Sequence, residues 1–264
     1  MKNLMPGKRF LLVSSLRAVP YGVDMHPEQD APVATRPSPA VRDIQVVVLA
    51  LVVSAVLSRV VASVARTGGV PTPIVQVLLA DLAVWVPLGL AVGWTVRRSS
   101  PAALVRRLGL GWAEVIAAVG IVIICRGLDA ALSIAFFGAT GLTPQVTLGT
   151  PDMVLLVVSA IGVCLVSPVL EEFVFRGLLQ RRLAAELTPR TRFLAVVVTA
   201  LAFAVMHVLI GSPASSVAGF EVFLTTFVLG LLTGTLVAMT DRIGGAILAH
   251  VLFNSVAVAL TWPR

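Results

Sequence analysis

The sequence predicts an all-α membrane protein, a polytopic bundle of about seven transmembrane helices. Hydrophobic residues make up 58% of the chain and charged residues only 12%, whereas soluble domains carry about 25% charged residues. Because backbone groups in lipid must form hydrogen bonds within their own segment, we expect long apolar segments to be helices. Seven segments are long enough to cross a bilayer, at residues 44–65, 74–96, 112–137, 153–180, 193–211, 219–240 and 243–262.

The loops between these segments differ in positive charge, and the difference predicts an orientation. Arginines lie before the first helix and in the loops after the second, fourth and sixth helices, the last with Arg242 alone. Residues 138–151 and 211–218 contain no Lys or Arg, and Arg66 is the exception to the alternation. Since positive loops favour the cytoplasmic side, we expect the N-terminus in the cytoplasm and the C-terminus outside. We therefore expect a multi-pass protein of the inner (plasma) membrane.

Residues 1–42 differ in composition from the rest of the chain. They combine several prolines with mixed charges, which is typical of a disordered cytoplasmic tail. Residues 43–264 then form the predicted transmembrane helical domain. The formal net charge of +7 is explained by basic loops beside the lipid bilayer. We expect no nucleic-acid partner, because no basic run is interleaved with exposed aromatic residues.

Several ionisable residues inside the predicted helices have simple structural explanations. Arg59 and Asp81 lie at similar depths in the first two helices and are predicted to pair. Arg126 and Asp129 are three residues apart on one helix face and are also predicted to pair. Glu114 and Glu221 lie near helix ends, within reach of lipid headgroups. None of these needs a functional explanation.

Two adjacent carboxylates in the fourth helix, Glu171 and Glu172, are different. Glu172 and Arg176 are four residues apart, so they share a helix face and can neutralise each other. Glu171 points about 100° away and has no partner in its own helix. An unpaired carboxylate at such a depth is a candidate general base. Pro168, one turn earlier, removes a backbone hydrogen bond, and the freed carbonyl is expected to line a polar cavity.

Both histidines of the membrane region can join this carboxylate. His207 lies in the fifth helix, and His250 in the seventh shares a helix face with Asn254. Buried histidines in lipid need polar neighbours, so we expect the four side chains to surround one cavity. Depth is one difficulty, because Glu171 lies about 15 Å and His207 about 22 Å from the nearest cytoplasmic arginine. The fifth helix must therefore tilt or project beyond the membrane.

These residues form three ordered motifs that resemble those of the CAAX prenyl protease and bacteriocin-processing family, also called CPBP or Abi. The motifs are Glu-Glu-x-x-x-Arg, Phe-x-x-x-His and His-x-x-x-Asn, and here they begin at Glu171, Phe203 and His250. The resemblance covers about residues 150–262, which would be the protease-like core. It implies an intramembrane glutamic endopeptidase that needs no metal and no other cofactor.

The resemblance also implies a role for each motif residue. Glu171 would activate a water molecule with help from His207. His250 and Asn254 would stabilise the oxyanion of the tetrahedral intermediate. Glu172 and Arg176 would support the site by holding the helix and orienting Glu171. The substrate would be a peptide or a membrane protein.

Three other functions remain open from the sequence. Glu171, His207 and His250 could form a catalytic zinc site with two imidazoles and one carboxylate, although no His-Glu-x-x-His motif is present. A non-proteolytic family member could act in bacteriocin immunity, or as a scaffold or regulator of other membrane proteins. The polar cluster could also relay protons in a transporter, but the sequence shows no inverted repeat that would support transport.

Overall fold

The computed structural model describes residues 38–97, 107–144 and 150–263. These residues form seven helices that are long and apolar enough to cross a membrane, and they contain no strand. The helices are α1 (Pro39–Arg66), α2 (Pro73–Val96), α3 (Trp112–Phe137), α4 (Met153–Glu186), α5 (Phe193–Gly211), α6 (Ser216–Thr240) and α7 (Gly244–Thr261). The predicted all-α membrane bundle is therefore confirmed, and its orientation stays a prediction.

Helix α1 begins five residues earlier than predicted because local chemistry favours a start at Pro39. The side chain of Ser38 accepts a hydrogen bond from the Val41 N–H at 3.1 Å, and Pro39 occupies the first helical position. Such a cap satisfies one of the N–H groups that a helix start leaves unpaired. Of the predicted disordered tail, residues 1–37 lie outside the described ranges.

The surface of the bundle carries many large apolar side chains, and its interior includes small and polar ones. Leu90 is 70% exposed and Ile116 is 71% exposed, while Ala118, Ala204 and Ser54 are completely buried. Lipid is as apolar as these exposed side chains, so the helices associate through close packing and polar contacts rather than by the hydrophobic effect. The arrangement fits a protein whose surroundings are hydrocarbon.

Two glycines of α6 allow it to lie against its neighbours at short distance. A Cβ atom on Gly230 would lie 3.0 Å from the Cα atom of Ala200 on α5. A Cβ atom on Gly234 would lie 2.9 Å from the Gln180 side chain and 3.0 Å from Val196. The spacing of four residues puts both glycines on one face, as in other closely packed membrane helices. This contact holds α5, and with it His207, in place.

Replacing Gly230 by valine is expected to lower the free energy of unfolding by about 1–3 kcal/mol, the usual cost of overpacking. The new side chain meets backbone atoms of α5, so a side-chain rotation cannot relieve the clash. The matched control is Gly89→Val in α2, where no described atom lies within 4 Å of the added Cβ. Thermal unfolding in detergent measures both. Equal losses in the two variants would contradict the packing argument.

Helix α4 is not uniformly α-helical. Its central α-helical segment, Ser167–Glu172, is flanked by wider π-helical segments at Gly162–Val166 and Phe173–Gln180. A π-helical turn changes the direction of the side chains that follow it and leaves backbone groups available, which is why such turns occur often at functional sites. In this chain the two irregular segments lie on either side of Glu171.

Candidate functional site

A cavity of about 380 Å³ inside the bundle is lined by all four side chains that the sequence predicted to converge. Helix α4 contributes Glu171, α5 contributes His207, and α7 contributes His250 and Asn254. Apolar side chains of α1, α2 and α6 form much of the remaining wall. Three separate helices thus bring their polar residues to one cavity.

Glu171 lies between the two imidazoles. Its Oε2 atom is 3.5 Å from Nε2 of His207 and 3.9 Å from Nε2 of His250. This oxygen is buried and makes no hydrogen bond to any described residue. Its neighbour Glu172 has two strong partners, so the two adjacent glutamates occupy very different environments, as their angular separation on α4 predicted.

The orientation of His207 is fixed by its own helix. Its Nδ1 atom lies 2.9 Å from the backbone carbonyl of Phe203, one turn earlier on α5. A carbonyl oxygen can only accept, so Nδ1 carries the hydrogen and the Nε2 lone pair faces Glu171. Two acceptors that face each other can share a single proton. The pair is therefore arranged for proton exchange between carboxylate and imidazole.

His250 is fixed through the other glutamate. Its Nδ1 atom lies 3.1 Å from Oε1 of Glu172, and the same oxygen lies 3.0 Å from Nη1 of Arg176. His250 is buried, and its Nε2 atom faces Glu171 across the cavity. A carboxylate behind one ring nitrogen sets the direction of the other, as in many histidine sites.

Arg176 is the buried cation that balances this group of acids. It is 1% exposed, pairs with Glu172, and donates from Nη2 to the Thr233 hydroxyl at 2.8 Å. Its guanidinium carbon lies 4.4 Å from the centre of the Phe203 ring, a distance suited to a cation–π contact. The phenylalanine of the Phe-x-x-x-His motif therefore packs beneath the arginine of the first motif.

Asn254 is held by a backbone carbonyl that proline leaves free. In the first π-helical segment the Ser167 N–H bonds the Gly162 carbonyl, five residues earlier. The next bond of that pattern would join Pro168 to Val163, but proline has no N–H. The Val163 carbonyl instead accepts from Nδ2 of Asn254 at 2.8 Å. The second N–H of that amide remains for another acceptor.

Replacing Pro168 by alanine is expected to raise stability and lower activity together. Alanine restores an N–H that competes with Asn254 for the Val163 carbonyl, and it removes a helix-breaking residue. Loss of the Asn254 anchor should reduce kcat about tenfold, because small misplacements of a polar group at a reacting centre are costly. Parallel melting curves and rates of the peptidase activity that the sequence predicts measure the two effects.

The matched control for this variant is Pro87→Ala in α2, a second proline inside a helix that does not line the cavity. It should raise stability without changing the rate of the predicted activity. If Pro168→Ala kept full activity, the proposed link between Pro168 and Asn254 would be wrong.

Helix α3 supports the site from behind. Arg126 pairs with Asp129 at 2.6 Å, which confirms the predicted pair. It also donates from Nε and Nη2 to the Phe253 carbonyl at 3.0 and 2.7 Å, a contact that the sequence did not predict. The guanidinium carbon lies 3.5 Å from the centre of the Phe253 ring. Arg126 therefore fixes α7 at the residue next to Asn254.

Two predicted placements are wrong. No described ion pair joins Arg59 to Asp81; Asp81 instead lines the cavity with Glu171, whereas Arg59 lies beside Val208 on α5. Counting residues gave the depth of each side chain but not its direction around the helix. Glu114 does not reach a headgroup either. It is buried, accepts from the Gly111 N–H at 2.7 Å and pairs with Arg242.

The same three side chains could hold a metal ion. One ligand atom each from Glu171, His207 and His250 lie within 4.8 Å of one another. Two imidazoles and one carboxylate form a known set of ligands for catalytic zinc. The separations are slightly wider than a tetrahedral ion requires, so small side-chain movements would complete the site.

The fold and the site define a multi-pass membrane protein with a glutamate and two histidines in an internal cavity. Residues 153–256 match the family model described as type II CAAX prenyl endopeptidase Rce1-like. The matched segment contains all three motifs, which supports the resemblance to the CPBP family of CAAX-type proteases. No curated protein gives a significant match, and no solved structure does so either.

Proposed function

We propose that this protein is an intramembrane endopeptidase that hydrolyses a peptide bond with a water molecule activated by Glu171 and His207. One observation carries the proposal. An otherwise unpaired glutamate oxygen lies 3.5 Å and 3.9 Å from two imidazole nitrogens inside a cavity of the bundle. A general base must lie within about 3 Å of the proton that it removes, or be separated from it by one water molecule.

In the proposed mechanism each side chain has one task. Glu171 accepts a proton from water as the oxygen attacks the carbonyl carbon of the peptide bond. His250, held through Nδ1 by Glu172, donates from Nε2 to the oxyanion, and Asn254 donates its second N–H. His207 then passes the proton from Glu171 to the leaving nitrogen, which completes the cleavage.

The surroundings of the site suggest where the substrate enters. We propose that the 43–264 domain lies in the inner membrane with the N-terminal tail in the cytoplasm, following the arginine-rich loops. Glu171 lies about 15 Å along α4 from Arg181, on the predicted cytoplasmic side. A peptide or membrane protein would enter between helices from that side. Glu172 and Arg176 stabilise the centre without touching the substrate.

The direct test is cleavage by the purified protein in nanodiscs. Wild type and Glu171→Gln are incubated with a library of apolar peptides, and products are identified by mass spectrometry. The proposal requires products from wild type that are missing from the variant. If both proteins leave every peptide intact, and the cellular phenotype survives Glu171→Gln, the protein acts instead as an immunity factor, scaffold or regulator.

A zinc-dependent protease is the second candidate, favoured by the spacing of Glu171, His207 and His250. Zinc would polarise the substrate carbonyl and activate water. The same cleavage assay separates the two mechanisms. A strong chelator should leave a glutamic protease unaffected, whereas it should abolish a zinc-dependent activity, and added Zn²⁺ should then restore it.

A further inference from the structure

A second carboxylate, that of Asp81, lines the cavity that contains Glu171. Asp81 lies on α2, outside the segment that matches the protease family. None of the three motifs includes it, and the mechanism above does not use it. Its position in the wall of the substrate cavity therefore needs a separate explanation.

The Asp81 side chain is held by close contacts with α4. A Cβ atom on Gly162 would lie 2.8 Å from Oδ2 of Asp81 and 3.3 Å from the Trp85 ring. One turn after Asp81, Trp85 donates from Nε1 to the Ser167 hydroxyl at 2.8 Å. Because Gly162 has no side chain, the carboxylate can pack against the first π-helical segment of α4. Its place beside the site is thus fixed by two helices.

No Lys or Arg of the cavity wall balances the charge of Asp81, and the His250 imidazole is already engaged by Glu172. Of the described residues that line this cavity, none is Lys or Arg, whereas two are carboxylates, Asp81 and Glu171. Arg176, five residues after Glu171 on α4, is engaged by Glu172 and Thr233. Oδ2 of Asp81 makes no hydrogen bond within the described ranges. A low-dielectric cavity with such walls attracts positively charged groups.

We propose that Asp81 binds a cationic group of the substrate, either a lysine or arginine side chain or a free amino terminus. The proposal rests on the proteolytic function above and adds a charge preference to it. Nine residues separate Gly162 from Glu171, which is about 13 Å at most along α4. An extended peptide covers that distance in three or four residues. The cationic group should therefore lie about that many residues from the cleaved bond.

The test uses two sets of labelled apolar peptides in nanodiscs of uncharged lipid. In the first set, acetylated peptides carry one lysine at each position in turn, with norleucine at the same position as the neutral match. In the second set, lysine-free peptides have either a free or an acetylated amino terminus. Binding is measured on Glu171→Gln, which keeps the peptide intact, and cleavage is measured with Glu171 present. Both the binding and the cleavage measurements are repeated with the Asp81→Asn change added.

With Asp81 present, a cationic peptide should bind at least about tenfold more tightly than its neutral match, and Asp81→Asn should remove the difference. Asp81→Lys should reverse the preference toward a glutamate-containing peptide. Glu221→Gln on α6, an acid that does not line the cavity, should change nothing. If the lysine-containing set shows the preference, the bound cation is a side chain. If the set with a free amino terminus shows it, the bound cation is the amino terminus.

Binding that does not depend on peptide charge, or a preference that survives Asp81→Asn, would overturn the inference. Cleavage that shows no preference for cationic peptides would also overturn the inference, but it would leave the proposed proteolytic function intact. Charge-dependent binding without any cleavage would have the opposite meaning, because the cation subsite would stand and the proteolytic function would fail. Asp81→Asn has nearly the same shape as the native residue, so the test does not depend on whether Asp81→Lys folds.

Discussion

Glu171→Gln is expected to lower kcat by at least about 10³-fold while the protein melts at the same temperature or slightly higher. Glutamine keeps the shape of the side chain but cannot accept a proton from water, and general bases typically contribute factors of about 10² to 10⁴. The Oε2 atom has no hydrogen-bond partner among the described residues. The change to glutamine therefore removes the carboxylate without removing a hydrogen bond to a described residue.

Glu172→Gln is the control that separates a loss of activity from a loss of stability. Glu172 is completely buried and contacts both Arg176 and His250, so its replacement should lower the melting temperature as well as the activity. Single-turnover cleavage and thermal unfolding of both variants separate the two effects. If Glu171→Gln retained more than about a tenth of the wild-type rate, Glu171 would not be the general base.

Arg176→Met is expected to cost about 3–5 kcal/mol of stability, the usual cost of breaking a buried ion pair. Methionine fills much of the same volume but leaves Glu172 as a buried carboxylate without its cation. It also removes the donor to Thr233 and the contact with the Phe203 ring. Unfolding in detergent followed by circular dichroism measures the loss.

Arg181→Met provides the matched control, because its partner Asp241 is 78% exposed. Exposed ion pairs contribute only about 0–1 kcal/mol. The double variant Glu172→Gln with Arg176→Met should recover part of the loss, since it leaves no uncompensated charge. Equal losses for Arg176→Met and Arg181→Met would show that burial of the Glu172–Arg176 pair does not determine its contribution.

The helices and the order of the motifs could be predicted from the sequence because lipid restricts what a chain can do. A spanning segment must be helical and apolar, so each ionisable residue within one is conspicuous, and Glu171, His207 and His250 were found in this way. The boundaries of α2, α3 and α5 agree with the prediction to within about one residue. The start of α1 differed because a Ser-Pro cap is a local effect that hydropathy does not detect.

The relation between helices could not be predicted in the same way. Residue counts put His207 about 7 Å deeper than Glu171, yet the two side chains approach to 3.5 Å, because helix starts and tilts are set by packing against neighbours. The direction of each side chain around its helix axis could not be predicted either, which is why the predicted pair of Asp81 and Arg59 is wrong. The sequence did predict a carbonyl freed by Pro168. It could not predict that Asn254 of α7 would bond to that carbonyl.

The contact of Arg126 with the Phe253 carbonyl sets a lower limit on the length of a working chain. Arg126 precedes the family-matching segment by 27 residues, since 153 minus 126 is 27, but it holds the residue next to Asn254. Glu114 also pairs with Arg242 in the loop between α6 and α7, and Asp43 pairs with Arg182 of α4. A polypeptide truncated to residues 153–256 would therefore contain every motif but lack the hydrogen bonds and ion pairs that hold the motif helices in place.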